Sequence, residues 1–340
     1  MQQSDPHLKA EKHGRLGLLT LDRPQALNAL NHGMINALSA ALAAWATDDS
    51  VACVAIRGAG RAFCAGGDIR AVQQAVIAGS DEGFHLLRDE YRMNALIGAY
   101  PKPYVALLHG ITMGGGAGVS VHGSHRLADA SLMFAMPETG IGFIPDIGAS
   151  YFLSRLPDEM GMYLGLTGGR IGLGDALACG LVTHAADAAG YDAIIEGLAE
   201  GQAVDKAIAP HLVKAAPGPL AEHRRRIATI FSAGSVEAVL ERLDRDGSDF
   251  AMQTARTIRA NSPTSLKVTF RQLREGRSLG LKQCLAMEYA LACHMLPGHD
   301  FREGVRAALV DKDRNPRWQP ASLAAVSGIE TYFDAPRELA

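Results

Sequence analysis

Tyr104-Val105-Ala106-Leu107-Leu108-His109-Gly110-Ile111-Thr112-Met113-Gly114-Gly115-Gly116-Ala117-Gly118-Val119-Ser120 is the stretch that decides the architecture. Five apolar residues follow the helix-stopping Pro101 and Pro103, which reads as a short buried strand over 104–108. The glycine run behind it looks like a turn entering a helix. Upstream, 16–21 reads as a strand ended by Asp22-Arg23-Pro24, 34–45 carries apolar residues at helical spacing, and 51–56 is another short buried strand. A glycine-rich loop over 58–68 leads into helical sequence, with a second helix over 84–97; downstream, 126–128 and 132–135 are short strand candidates. Strands and helices alternating up to Val182 indicate an α/β core. Beyond Asp187 the chain turns Ala, Leu, Glu and Arg rich, with Ser262 as an N-cap and Pro263 at a first helical position. The expected division is therefore a core over 1–200 and a mainly helical region over 201–340.

At 340 residues the chain has room for one large domain, or a core with an extension. Its composition, 48% hydrophobic and 20% charged, is that of a folded globular protein. A net charge of -3 gives no general electrostatic case for nucleic acid or an anionic membrane, so an anionic ligand must be met locally. Five cysteines, an odd number without a Cys-x-x-Cys pair, argue against a disulfide framework or a zinc site and fit a reducing compartment. The polar stretch 1–14 resembles neither a secretory nor a transit signal, and no run approaches the roughly 20 apolar residues of a membrane span, so a cytoplasmic location is expected. Arg224-Arg225-Arg226 reads as a solvated helix face.

Chemistry concentrates in three segments. Cys64-Ala65-Gly66-Gly67-Asp68 and Gly114-Gly115-Gly116 can each present bare backbone N–H groups, because glycine admits another group closely. Together they suit an oxyanion hole, and the second, if it opens a helix, adds that helix's positive end; each taken alone also reads as a tight turn. Gly-x-Gly-x-x-Gly, the P-loop ending and Gly-x-Ser-x-Gly are all absent. The third segment, Phe134 to Gly148, sets Glu138 and Asp146 eight residues apart in a Gly/Pro-rich, otherwise apolar stretch. An acid in such surroundings holds its proton more strongly, which suits proton transfer near neutral pH; a turn cap at Glu138 and a helix start at Asp146 are the plainer readings.

Leu21-Asp22-Arg23-Pro24-Gln25-Ala26-Leu27-Asn28-Ala29-Leu30, the Ala-Gly-Gly-Asp loop and the Met-Gly-Gly-Gly run resemble the enoyl-CoA hydratase/isomerase (crotonase) superfamily. More narrowly, 109–120, 134–148, Ser262-Pro263-Thr264-Ser265-Leu266-Lys267 and Gly298-His299-Asp300-Phe301-Arg302-Glu303-Gly304-Val305-Arg306 resemble its 3-hydroxyisobutyryl-CoA hydrolases. The resemblance runs from about residue 15 to 318. It implies an α/β fold, a crotonase-like spiral of strand-strand-helix repeats with a helical C-terminal region that covers the site or mediates self-association.

It also implies thioester hydrolysis of an acyl-CoA in valine breakdown, with no metal or redox cofactor, CoA being part of the substrate, and a possible homo-oligomer. By position, Gly67 and Gly115 would supply the oxyanion amides and Glu138 and Asp146 the catalytic acids, while Gly66, Asp68, Gly114 and the substrate-facing acid Glu90 would bind substrate. Hydratases of the superfamily carry a second glutamate in the helix after the glycine run, where this chain has Gly118. Glycine moves no proton. Two rivals accompany this reading: an enoyl-CoA hydratase or isomerase on the same fold, and a non-catalytic CoA-binding subunit.

Overall fold

The computed structural model describes residues 5–334; the outermost parts of the two expected divisions, 1–4 and 335–340, lie outside the described residues. In chain order the elements are β1 (Leu8–His13), β2 (Leu16–Leu21), α1 (His32–Ala46), β3 (Cys53–Gly58), α2 (Ile69–Ile77), α3 (Glu82–Gly98), β4 (Tyr104–Leu108), β5 (Ile111–Met113), α4 (Gly115–Gly118), β6 (His125–Ala128) and β7 (Met133–Ala135). There follow α5 (Ala149–Phe152), α6 (Met160–Thr167), α7 (Leu173–Ala178), β8 (His184–Ala185), α8 (Tyr191–Ala199) and α9 (Val204–Ile208). The remainder is helical: α10 (Arg224–Phe231), α11 (Val236–Asp246), α12 (Asp249–Ala260), α13 (Pro263–Gly276), α14 (Leu281–Met295) and α15 (His299–Val305). The α/β core and helical C-terminal region expected from the sequence are both present.

These elements form two compact units that interleave along the chain. The first takes the chain up to Asp68, then Asp89–Phe134 and Ile171–Ala221; the second takes Ile69–Arg88, Ala135–Arg170 and everything from Glu222. The composition change near residue 200 follows chain order, whereas these units follow packing.

The first unit is built on a sheet of order β1-β2-β3-β4-β6-β8, in which β1 and β2 are antiparallel and every later pair is parallel. Strands β2 and β4 are buried along their whole length, which is why they read as continuous apolar runs. One face packs Leu16, Leu18, Val105, Leu107 and Leu127 against Ile194 and Leu198 of α8. On α1, the Trp45 ring lies where a Cβ on Gly17 would be, 2.5 Å from its nearest carbon, so only glycine lets that ring sit on β2. Strand β5 pairs with β7.

In the second unit, hydroxyl caps start three helices. Ser235, Ser248 and Ser262 accept the N–H groups of Ala238, Ala251 and Ser265 at 3.1, 3.3 and 3.1 Å. Pro263 stands at the first position of α13, as its sequence context predicts. The basic run at 224–226 behaves as a solvated face: Arg224 pairs with Asp158 and Arg226 with Asp246, both at the surface.

Candidate active site

In the first unit the two glycine loops lie side by side. Cys64 bridges Thr112 in parallel, with Cys64 N–H donating to Ile111 O at 3.0 Å and Met113 N–H to Cys64 O at 3.0 Å. Leu30 bridges Gly67 through bonds made by the residues on either side, Leu30 N–H to Gly66 O and Asp68 N–H to Leu30 O, both 2.8 Å. That pairing turns the Gly67 N–H away from Leu30. Gly66 adopts φ +119 and Gly114 φ +47, conformations that favour glycine.

A Cβ on Gly115 would lie 3.1 Å from the Gly67 nitrogen and 2.5 Å from Glu90 Oε1, and one on Gly116 would lie 2.3 Å from Cys64 O. Bare backbone is therefore required for the approach. Among the described residues neither the Gly67 nor the Gly115 N–H donates to a protein acceptor. One expectation needs correcting: α4 is a single turn, Gly115–Gly118, so no helix-long stack of peptide dipoles stands behind these amides. Glycine at three of its four positions lacks the propensity to extend it.

Glu90 sits on α3, 2% exposed, with its carboxyl beside Gly115. Asp68 pairs with Arg23 at 2.8 Å, and the same guanidinium donates to Ala29 O, which ties the loop to the Asp22-Arg23-Pro24 breaker. A residue quoted only as part of a motif proves structural here. Asn28, fully buried at φ +58, donates to Ala59 O and Ala62 O at 2.8 Å and accepts the Arg23 N–H at 2.8 Å, pinning the chain just before the Cys64 loop.

In the second unit Glu138 opens a short 3₁₀ turn, Glu138–Ile141, which ends on Gly142 at φ +72. Its neighbour Thr139 is held by Ser262 N–H donating to Thr139 O at 3.1 Å and by Asn261 Nδ2 donating to Thr139 Oγ1 at 3.2 Å. Ser262 Oγ donates to Asp300 Oδ2 at 2.6 Å, while Cβ atoms on Gly142 and Gly304 would strike Asp300 O and the Ile141 carbonyl carbon at 2.1 and 2.3 Å. The Ser-Pro-Thr-Ser and Gly-His-Asp motifs are thus the anchorage of the Glu138 turn. Glu138 is 7% exposed, and its Oε2 is buried without a hydrogen-bond partner among the described residues. Burial, with the Asp146 charge added, holds its carboxyl well above the usual carboxylate range.

Asp146, 6% exposed, starts no helix directly; Ile147 at φ +56 and Gly148 at φ +89 intervene before α5. The turn is gripped from two helices. Gln272 of α13 donates to Pro145 O at 2.6 Å, and Glu288 of α14 accepts the Gly148 and Ser150 N–H groups at 2.6 and 2.7 Å. Burial pushes the Glu288 carboxyl up to about 8, the Ser150 hydroxyl and the two N–H bonds acting in the opposite direction. Sequence reasoning missed Glu288, although a lone acid inside the largely apolar run 281–295 is the kind of signal that marks a buried, bonded carboxyl. Among the described residues no three His, Cys, Asp or Glu side chains gather as a metal site requires.

A family model described as "Enoyl-CoA hydratase/isomerase" matches residues 16–333. A Xenopus tropicalis protein named "3-hydroxyisobutyryl-CoA hydrolase, mitochondrial" is 46% identical over 335 residues, covering 95% of this chain and 87% of that protein. The Homo sapiens protein of the same name is 44% identical over 328 residues, covering 93% and 85%. Among solved structures, a carnitinyl-CoA dehydratase from Mycobacterium thermoresistibile superposes with a TM-score of 0.94 at 40% identity, covering 99% of both chains. An enoyl-CoA hydratase from Rhodobacter sphaeroides superposes with a TM-score of 0.91 at 37% identity, covering 97% of this chain and 98% of that one. A family match along nearly the whole length, with relatives at 44–46% identity, means that this chain belongs to the enoyl-CoA hydratase/isomerase family.

Proposed function

We propose that the chain hydrolyses a short branched 3-hydroxyacyl-CoA thioester, 3-hydroxyisobutyryl-CoA, to 3-hydroxyisobutyrate and CoA, as the names of its curated relatives describe for those proteins. Valine breakdown is the pathway in which that reaction belongs. One observation carries the choice of hydrolysis over hydration: position 118, where hydratases of the family hold a second glutamate, is a glycine buried in α4. Hydration must deliver both parts of one water across a double bond, and losing one of two acids removes about a hundredfold or more. Thioester cleavage asks instead for a polarised carbonyl, a nucleophile and a group that manages the proton at the departing sulfur.

In this reading the Gly67 and Gly115 N–H groups hold the thioester carbonyl oxygen as negative charge grows on it. Glu90, beside Gly115, faces the acyl group, where a carboxylate accepts the bond of the 3-hydroxyl. Glu138 either adds to the carbonyl carbon, expelling the CoA thiolate and leaving a mixed anhydride that water then cleaves, or takes a proton from a water that adds in its place. Asp146 assists the transfer of a proton to the departing sulfur. Label in the Glu138 carboxyl after turnover in oxygen-18 water supports the anhydride, through attack at its glutamyl carbon, because the general-base route leaves none there.

The discriminating experiment is simple. Thiol release from 3-hydroxyisobutyryl-CoA, followed with a disulfide reagent, supports hydrolysis; loss of the conjugated absorbance of crotonyl-CoA without thiol release supports the hydratase reading. Binding of acyl-CoA with neither change supports the non-catalytic one. The names of the curated relatives include "mitochondrial", whereas the cytoplasmic reading of this chain rests on its own composition and its odd cysteine count without a Cys-x-x-Cys pair; cell fractionation tests it. Among the described residues no helix is long and apolar enough to cross a membrane. Self-association through the helical region is checked by light scattering.

A further inference from the structure

Glu288 is fully buried on α14, among Leu285, Tyr289, Leu291 and Ala292, yet it is an acid. Both of its oxygens are used on one short turn: Oε2 accepts the Gly148 N–H at 2.6 Å and Oε1 the Ser150 N–H at 2.7 Å. From α13, Gln272 Nε2 donates to Pro145 O at 2.6 Å and to Ser150 Oγ at 2.9 Å. These four bonds take hold of residues 145, 148 and 150, on either side of Asp146. Between them lies Ile147, a β-branched residue at φ +56, a conformation that persists only when the surroundings over-determine it. Close packing supports the grip, since a Cβ on Gly276 of α13 would lie 2.1 Å from Ser150 O.

We propose that Glu288 is a positioning residue, whose two bonds to the Gly148 and Ser150 N–H groups lock the Ile147 turn and so set the direction of the Asp146 carboxyl. This rests on the reading of Asp146 as the acid that serves the departing sulfur. The chemistry explains why an acid stands in an apolar setting: two N–H groups converge there, and a carboxyl group places one oxygen before each. Glutamine would answer one N–H and confront the other with its own N–H.

The test is a mutant cycle on the full chain, measuring kcat and KM for 3-hydroxyisobutyryl-CoA with wild type, Glu288→Gln, Asp146→Asn and the double variant. Glu288→Gln should lower kcat by about tenfold or more with KM changed less than about threefold, the split expected when a group acts only in the transition state. The double variant should turn over no more slowly than Asp146→Asn alone, because a residue acting through Asp146 has nothing left to lose. Glu288→Asp, which keeps both acceptors on a shorter arm, should recover part of kcat. If Glu288→Gln fails to give a cooperative melt, Glu288→Asp enters the cycle in its place, with a smaller loss of kcat and the same absence of any further loss in the double variant. An unchanged kcat in the Glu288 variant, or a double variant slowed by the product of the two single effects, overturns the proposal and leaves the Asp146 reading standing. Full turnover in Asp146→Asn overturns both.

Discussion

Replacing Gly115 by alanine is the sharpest perturbation that the first unit offers. The added Cβ would lie 2.5 Å from Glu90 Oε1 and 3.1 Å from the Gly67 nitrogen. The first contact is far inside van der Waals distance, so the Glu90 carboxyl must swing aside. The second is tight by a few tenths of an ångström, so the Gly67 amide must retreat or tilt. Both amides proposed to face the oxyanion are disturbed at once. Losing one such donor typically costs about 3 kcal/mol in the transition state, which is about two powers of ten in rate. Thiol release from 3-hydroxyisobutyryl-CoA should therefore fall by about a hundredfold or more in kcat/KM. Gly234→Ala is the control, because nothing lies within 4 Å of its Cβ position and its turnover should stay at the wild-type level. Thermal melts of both variants separate lost folding from lost chemistry. A Gly115→Ala protein that melts like wild type and turns over within a few-fold of it would refute the assignment of these amides.

Glu138→Gln should reduce kcat by about a hundredfold or more while leaving acyl-CoA binding measurable by calorimetry. Because burial and the Asp146 charge raise the Glu138 carboxyl, and its proposed work needs the ionised form, kcat/KM should rise with pH through a value well above 4.5; a profile flat down to pH 5 would contradict that. Glu288, pushed up to about 8 from an ordinary 4.5, binds its proton more tightly folded than unfolded. Its contribution to stability is whole below pH 4.5 and is lost as pH rises towards about 8, so the melting temperature should fall over that window, and Glu288→Gln should flatten the slope. Asn28→Ala strands the buried Ala62 carbonyl and the half-buried Ala59 one and should cost about 1–3 kcal/mol in denaturant unfolding.

The parallel strands were legible because burial on both faces leaves no polar alternation, and β2, β3 and β4 stand out as apolar runs. Strand β1 escaped for the opposite reason: after Leu8 every residue of Leu8–His13 is exposed, and it is held by backbone pairing to β2 with almost no apolar pattern to betray it. The glycine loops and the two acids were visible as unusual residues in unusual company. What their neighbours do was not. Asn28, Asp300 and Glu288 each bond a residue far along the chain, 31, 38 and 140 positions away, and no local pattern encodes such a partner. The interleaving of the two units is hidden for the same reason, since 69–88 and 135–170 join the C-terminal helices by packing rather than by order in the chain.

The most direct test is a crystal structure of the full chain with an acyl-CoA analogue that keeps the carbonyl but replaces the scissile sulfur by a methylene. The account predicts the carbonyl oxygen at about 2.7–3.1 Å from both the Gly67 and the Gly115 nitrogen, the distance at which such donors stabilise an oxyanion. An oxygen bound to any other group, with those two N–H groups turned away from it, would contradict it.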